Sequence, residues 1–167
     1  MNKDFWVGKR VLVTGGSGFI GRWLVSELAS AKARVIVLDI VPDTQGSETE
    51  RIVNQIDLGD LSNTSHMIEE YGPQVVIHLA GQSSVPACHD DPIEAFKKNV
   101  DSTYNLLEAC RLYGKLESAV VVSSNHVYGE QSDMPTPEAA MLNGIGIYAT
   151  SKLCGDLVAR AYGKTYA

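Results

Sequence analysis

The chain has 167 residues, 44% of them hydrophobic and 20% charged, with a formal net charge of -6. That is one domain's length, enough to bury roughly 70% of the surface an unfolded chain exposes, and its mixed charges, with no basic run, argue against nucleic acid or an anionic membrane as partner. Cys88, Cys110 and Cys154 lie far apart without CxxC or CxxH spacing, which argues against disulfides or zinc and for a reducing cytoplasm, and no apolar run suits a signal peptide or a membrane span.

The first strand is predicted at 10–14 and runs into "TGGSGFIG", with four glycines in seven positions. A helix follows, with Ile20, Leu24 and Leu28 at steps of four forming an apolar face for a sheet. Gly15, Gly18 and Gly21 make a G-x-x-G-x-x-G frame. Gly15 permits the tight turn, Gly18 lets a pyrophosphate approach the backbone, and Gly21 lets helix and strand pack closely. Phe19 and Ile20 open the helix, whose free N–H groups face the phosphates. A glycine-rich turn also serves as a plain connection, so its neighbours matter. The second strand spans 34–38, and Asp39 at its end stands eighteen residues past Gly21. In that register a carboxylate bonds both ribose hydroxyls and repels a 2′-phosphate, favouring NAD over NADP; the bland reading is a solvated residue opening a loop. No Gly-Lys-Ser/Thr follows the turn, so it is not a P-loop.

Further strands fall at 51–56, 74–79 and 118–123, and runs such as "VVIH" and "AVVVSS" suit parallel strands covered on both faces. A helix over 92–113 opens with proline and carries Phe96, Val100, Thr103, Leu107 and Cys110 as one stripe. The last helix, 148–162, has Leu153, Leu157, Val158 and Ala161 on its apolar side. This alternation implies an α/β fold, a Rossmann-type doubly wound parallel sheet of order 3-2-1-4-5 within one dinucleotide-binding domain, residues 1–167. Ligands then bind beyond the strands' carboxyl ends, between the first and fourth.

Tyr148 and Lys152, four apart, share a helix face. A cation beside a phenol favours phenolate, which can take a proton from a hydroxyl; the alternative is an exposed pair on an amphipathic helix. His126 can exchange protons at neutral pH, or is a ring packed at a strand end. His78, inside an apolar strand, reads as a satisfied core residue, and His66 and His89 have no partners at metal spacing. Ser83 and Ser84 either touch a ligand or cap a helix.

"TGGSGFIG" together with "YATSK", 148–152, resembles the extended short-chain dehydrogenases, especially the NAD-dependent nucleotide-sugar epimerases and dehydratases. The likeness covers essentially the whole chain, and the order of its signatures is more specific than any one of them. It implies that Asp57 and Leu58 hold the adenine, that "HLAGQ", with Leu79, Ala80 and Gly81, passes under the cofactor, that Asn99 is the family's helix asparagine and that Ser124 in "VVSSNHVYG" is the active-site serine. Asp101 and Ser102 depart from the usual "NVxGTxNLLEA". The opening and closing segments also look like the 4,6-dehydratases acting on CDP-glucose and similar sugars.

The implied activity is oxidation of a nucleotide-diphosphate sugar at its 4-position with hydride transfer to NAD, Tyr148 acting as base, Ser124 holding the reacting hydroxyl and Lys152 the nicotinamide ribose. Either 4,6-dehydration or 4-epimerisation follows. Dehydratases of this kind place an acid and a base after the serine; here Asn125 and His126 stand there, so the usual Asp role is unfilled and both outcomes stay open. Members of the family run on into further strands and a substrate domain, and commonly form homodimers through a four-helix bundle. The chain ends at "YGKTYA", which fits either a truncated enzyme or a non-catalytic NAD-binding module.

Overall fold

After a single helical turn, α1 (Lys3–Trp6), the β-branched segment Arg10–Thr14 forms β1, whose last four residues are wholly buried. The structure, a computed structural model, describes residues 3–41, 51–132 and 134–166. β2 (Arg34–Asp39), β3 (Arg51–Gln55), β4 (Val75–His78) and β5 (Ser118–Val121) complete one sheet in the order β3-β2-β1-β4-β5. All its pairings are parallel, with Val11 opposite Val35 on one side and Val75 on the other. The predicted order holds, and the reversal between β1 and β4 opens a crevice at their carboxyl ends.

Alternate residues of the central strands feed two cores. Val11, Val13, Val35, Val37, Val75 and Ile77 pack beneath α2 (Phe19–Ser30), against Val25 and Leu28. On the other face Leu12, Ile36, Leu38 and Val76 meet Ile68 of α3 (Leu61–Tyr71) and Leu106, Ala109 and Cys110 of a later helix. Each fully buried Leu or Ile there contributes about 1.5–3 kcal/mol relative to exposure.

Besides the single turn α1, two helices have no counterpart among the predicted elements. α3 is capped by Asp60, which accepts from the Ser62 and Asn63 amides, and ends at Gly72 with φ +53. α4 (Val85–Asp90) is capped by Ser84, whose Oγ accepts from the Ala87 amide. The helix predicted over 92–113 is α5 (Pro92–Phe96) and α6 (Ser102–Tyr113) joined by a π turn, Lys97–Asp101. Widening that turn slips the stripe by one residue, so Ala95 and Asn99 are buried where Phe96 and Val100 were expected.

Three further expectations are corrected. Ile20 is 61% exposed because α2 turns Gly21, Val25 and Leu28 to the sheet. The last helix, α7 (Ile147–Tyr166), buries Ala149, Ser151 and Gly155, whereas Leu157 is 51% exposed. β5 is not covered on both faces. Val120 and Val122 are 48% and 38% exposed, since α2 reaches only as far as β4 on that side.

Candidate active site

The crevice floor is made where backbone meets backbone. A Cβ on Gly15 (φ +68) would lie 2.7 Å from the Ala80 amide nitrogen, so the turn after β1 rests directly on the segment after β4. A Cβ on Gly21 would lie 2.2 Å from the Gly15 carbonyl oxygen, which is the close helix–turn approach expected of the glycine frame. Among the described residues no side chain caps α2 at Gly18, and the buried Ser17 Oγ beside it has no hydrogen-bond partner. These amides and this hydroxyl fit an anionic pyrophosphate.

Asp39 stands beside the turn. Its Oδ2 accepts from the Ser17 amide at 2.9 Å and its Oδ1 from the Val41 amide at 3.1 Å, two amide bonds that use about half of its lone-pair sites. Asp57 accepts from the Gly59 amide at 2.8 Å and is exposed. Leu58 goes into the core with its carbonyl held by Asn105 Nδ2 at 2.8 Å, so this segment presents backbone and the Asp57 carboxylate to the crevice.

Leu79, Ala80 and Gly81 form the far side. The Asn99 side chain reaches them from the π turn. Its Oδ1 accepts from the Gln82 amide at 2.8 Å, and its Nδ2 donates to the Gln82 carbonyl at 3.1 Å and to Ser151 Oγ at 2.9 Å. Gly81 must lack a side chain here, because a Cβ would sit 2.6 Å from Asn99 Oδ1. Asn99 therefore acts on whatever occupies the crevice through Gln82 and α7. Ser151 Oγ donates in turn to the Tyr148 carbonyl at 2.9 Å. α7 comes this close because a Cβ on Gly155 would lie 2.6 Å from the Asn99 carbonyl oxygen.

Ser124 begins a 3-10 turn, Asn125–Tyr128, where its Oγ accepts from the His126 amide. The Tyr148 hydroxyl donates to that same Oγ at 3.4 Å, and the Tyr148 ring meets the His126 imidazole edge-on with centroids 5.3 Å apart. Lys152 Nζ donates to the Val122 carbonyl at 2.8 Å. Burial holds this ammonium below the ordinary lysine range, partly offset by the Asp156 carboxylate. The structure thus gathers Ser124, His126 and Tyr148 at one end of the crevice, with Lys152 one turn further along α7. The loop after the 3-10 turn is pinned to it, since a Cβ on Gly144 would strike the His126 carbonyl at 2.3 Å.

Sequence reasoning missed Thr14, Thr103, Asn105 and Ser151, all buried and bonded within this site. Ser151 lay inside the "YATSK" motif, three residues after Tyr148. Thr14 opens "TGGSGFIG", and Thr103 and Asn105 match the Thr and Asn of "NVxGTxNLLEA", but nothing local in those motifs shows the bonds that join them across the fold. Cys88 and Cys110 are not candidates: burial raises Cys88 and pushes Cys110 up to about 12.

A dinucleotide-type crevice with a phenol, a hydroxyl and an ammonium at one end is the architecture of a short-chain oxidoreductase domain. The model of the NAD dependent epimerase/dehydratase family matches residues 11–167, and the chain belongs to that family. It is 32% identical to a CDP-glucose 4,6-dehydratase of Salmonella typhimurium, over 99% of this chain and 48% of that protein. It is 33% identical to a UDP-glucose 4-epimerase of Mycolicibacterium smegmatis, over 94% of this chain and 52% of that protein. Among solved structures, the Thermus thermophilus UDP-glucose 4-epimerase in complex with NAD superposes with a TM-score of 0.84 at 33% identity, covering 94% of this chain and 51% of that one. The chain spans about half the length of the relatives it matches.

Proposed function

We propose that the protein is the cofactor-binding and catalytic part of an NAD-dependent enzyme acting on a nucleoside-diphosphate sugar. The observation that carries this reading is the Tyr148–Ser124 hydrogen bond at the end of the crevice whose other side is the uncapped glycine turn. Gly15, Gly18, Phe19, Ile20, Gly21 and Asp39 would hold the pyrophosphate and adenosine ribose, with Asp57 and Leu58 at the adenine and Leu79, Ala80 and Gly81 beneath. NAD, when bound, supplies the two-electron acceptor for a sugar carbinol carbon.

The residues divide the remaining work. Tyr148 takes the proton of the sugar 4-hydroxyl, and Ser124, already its partner, holds that oxygen as it becomes a ketone. Lys152 places a fixed positive charge on the same helix face, favouring the ionised phenol, and holds the nicotinamide ribose. Asn99 keeps α7 in register with the crevice floor. His126, exposed and against the Tyr148 ring, is placed to remove and return the carbon-five proton if the 4-keto sugar is dehydrated.

The test is turnover of CDP-, UDP- and dTDP-glucose in heavy water, by the chain and by the chain continued to its relatives' length. A dehydratase loses water and gains deuterium at carbon five; a 4-epimerase does neither. His126→Ala stops dehydration while leaving the first oxidation partly intact, and an unchanged product yield contradicts its role. Binding of NAD with no turnover of any sugar defeats the enzymatic reading. The three free cysteines fit a cytoplasmic setting, and a homodimer resting on the outer faces of α6 and α7, where Tyr104 and Leu157 are exposed, completes the proposal. Sedimentation tests the dimer.

A further inference from the structure

His78 has no part in that chemistry, yet it is 3% exposed and bonded at both ring nitrogens. Its Nδ1 lies 2.7 Å from Thr14 Oγ1 and its Nε2 3.0 Å from Thr103 Oγ1. Thr103 donates its single proton to the Asn99 carbonyl at 3.0 Å, so towards the ring it can only accept. Nε2 must therefore carry the ring proton and Nδ1 must accept from Thr14. Thr14 Oγ1 in turn accepts the Ala80 amide at 3.2 Å. Four hydrogen bonds run one way, from the Ala80 N–H through Thr14, the His78 ring and Thr103 to the Asn99 carbonyl. Aligned bonds polarise one another, and in a dry interior none has water as a substitute.

The two ends of this chain are the two halves of the crevice. Ala80 is the floor on which the Gly15 turn rests, and Asn99 is the residue that grips Gln82 and the Ser151 of the tyrosine helix. We propose that His78 is a positioning residue: as a neutral imidazole protonated on Nε2, it transmits the placement of the Ala80 floor to the π turn, and so fixes the spacing between cofactor and Tyr148. The proposal rests on NAD occupying the crevice. The charged group facing the ring is the Lys152 ammonium, which opposes a second ring proton; its hydrogen-bonding neighbours are the hydroxyls of Thr14 and Thr103.

Nitrogen NMR of His78 in the full chain, with NAD titration of threonine variants, tests it. The wild-type ring shows the Nε2–H tautomer and does not titrate through the neutral range. In Thr103→Val the proton moves to Nδ1, NAD affinity falls about fivefold, as the loss of one or two buried hydrogen bonds implies, and Thr103→Ser restores both. The Thr14→Val/Thr103→Val double variant loses less affinity than the product of the single losses, because both act through one ring. A wild-type Nδ1–H tautomer, a Thr103→Val tautomer identical to wild type, or strictly multiplicative losses overturn the relay. If the wild-type chain binds no NAD, the functional reading fails, and the tautomers alone decide the relay.

Discussion

At the scale of single residues, the site is governed by which polar groups are already bonded. The Asp39 carboxylate is anchored to Ser17 and Val41 by one bond per oxygen, so it is aimed before any ligand arrives. Asp39→Ala should weaken NAD binding roughly tenfold to a hundredfold, the worth of charge-assisted hydrogen bonds, and narrow the preference over NADP. Parallel fluorescence titrations with the two dinucleotides check this, and an unchanged ratio contradicts the assigned role. His78 gives a pH signature. Burial, reinforced by the Lys152 charge, lowers it from 6.5 to about 3. The unfolded chain therefore binds an extra proton between those values, so the contribution of His78 to stability is complete above 6.5 and is lost as pH falls towards 3. The slope is at most about 1.4 kcal/mol per pH unit. Urea unfolding of wild type and His78→Gln over that window should differ by this slope, with wild type the steeper. Parallel curves contradict a buried neutral ring.

At the scale of elements, close backbone approach decides what is tolerated. Gly21→Ala drives a Cβ into the Gly15 carbonyl, so the turn must open; the chain should lose roughly 1–3 kcal/mol, the range for overpacking, together with NAD binding. Gly163→Ala, in α7 with nothing within 4 Å, should instead gain about 0.5–1 kcal/mol from helix propensity. Thermal melts of both variants check the pair, and similar shifts in both contradict the contact argument. Elements also show what the sequence could tell. The geometry of the glycine turn and the shared helix of Tyr148 and Lys152 were legible because they depend on spacing along one turn or one helix, and Asp39 because it closes a short apolar strand. The π turn was not, since Phe96, Val100 and Thr103 satisfy ordinary helical steps and the extra residue has no mark of its own in the sequence. α3 carried signals that went unread, Asp60 ahead of it and Gly72 behind, but it buries only Thr64 and Ile68, too sparse a stripe to announce a helix.

At the scale of the molecule, the strand order was legible from the alternation of apolar runs, whereas the exposure of β5 was not. "AVVVSS" reads like a strand buried on both faces, but the Val120 and Val122 side chains stay exposed to solvent. A groove of about 820 Å³ between α6, α7 and β5, lined by Ala119, Val121 and Ala159, lies on the strand's other face. β5 amides should therefore exchange with solvent much faster than those of central β1, and equal protection would contradict the exposed edge. The long-range bonds of the site, Thr14 to His78 across 64 positions and His78 to Thr103 across 25, exist only once this topology has formed.

The most direct measurement is the absorbance of reduced nicotinamide after a nucleotide sugar is mixed with the NAD-loaded enzyme at its relatives' full length, for wild type and Tyr148→Phe. A transient rise in wild type, absent from a Tyr148→Phe protein that still binds NAD, is expected if the glycine crevice and the tyrosine helix form one oxidising site. No rise in a wild type holding NAD, or an equal rise in the variant, would contradict it.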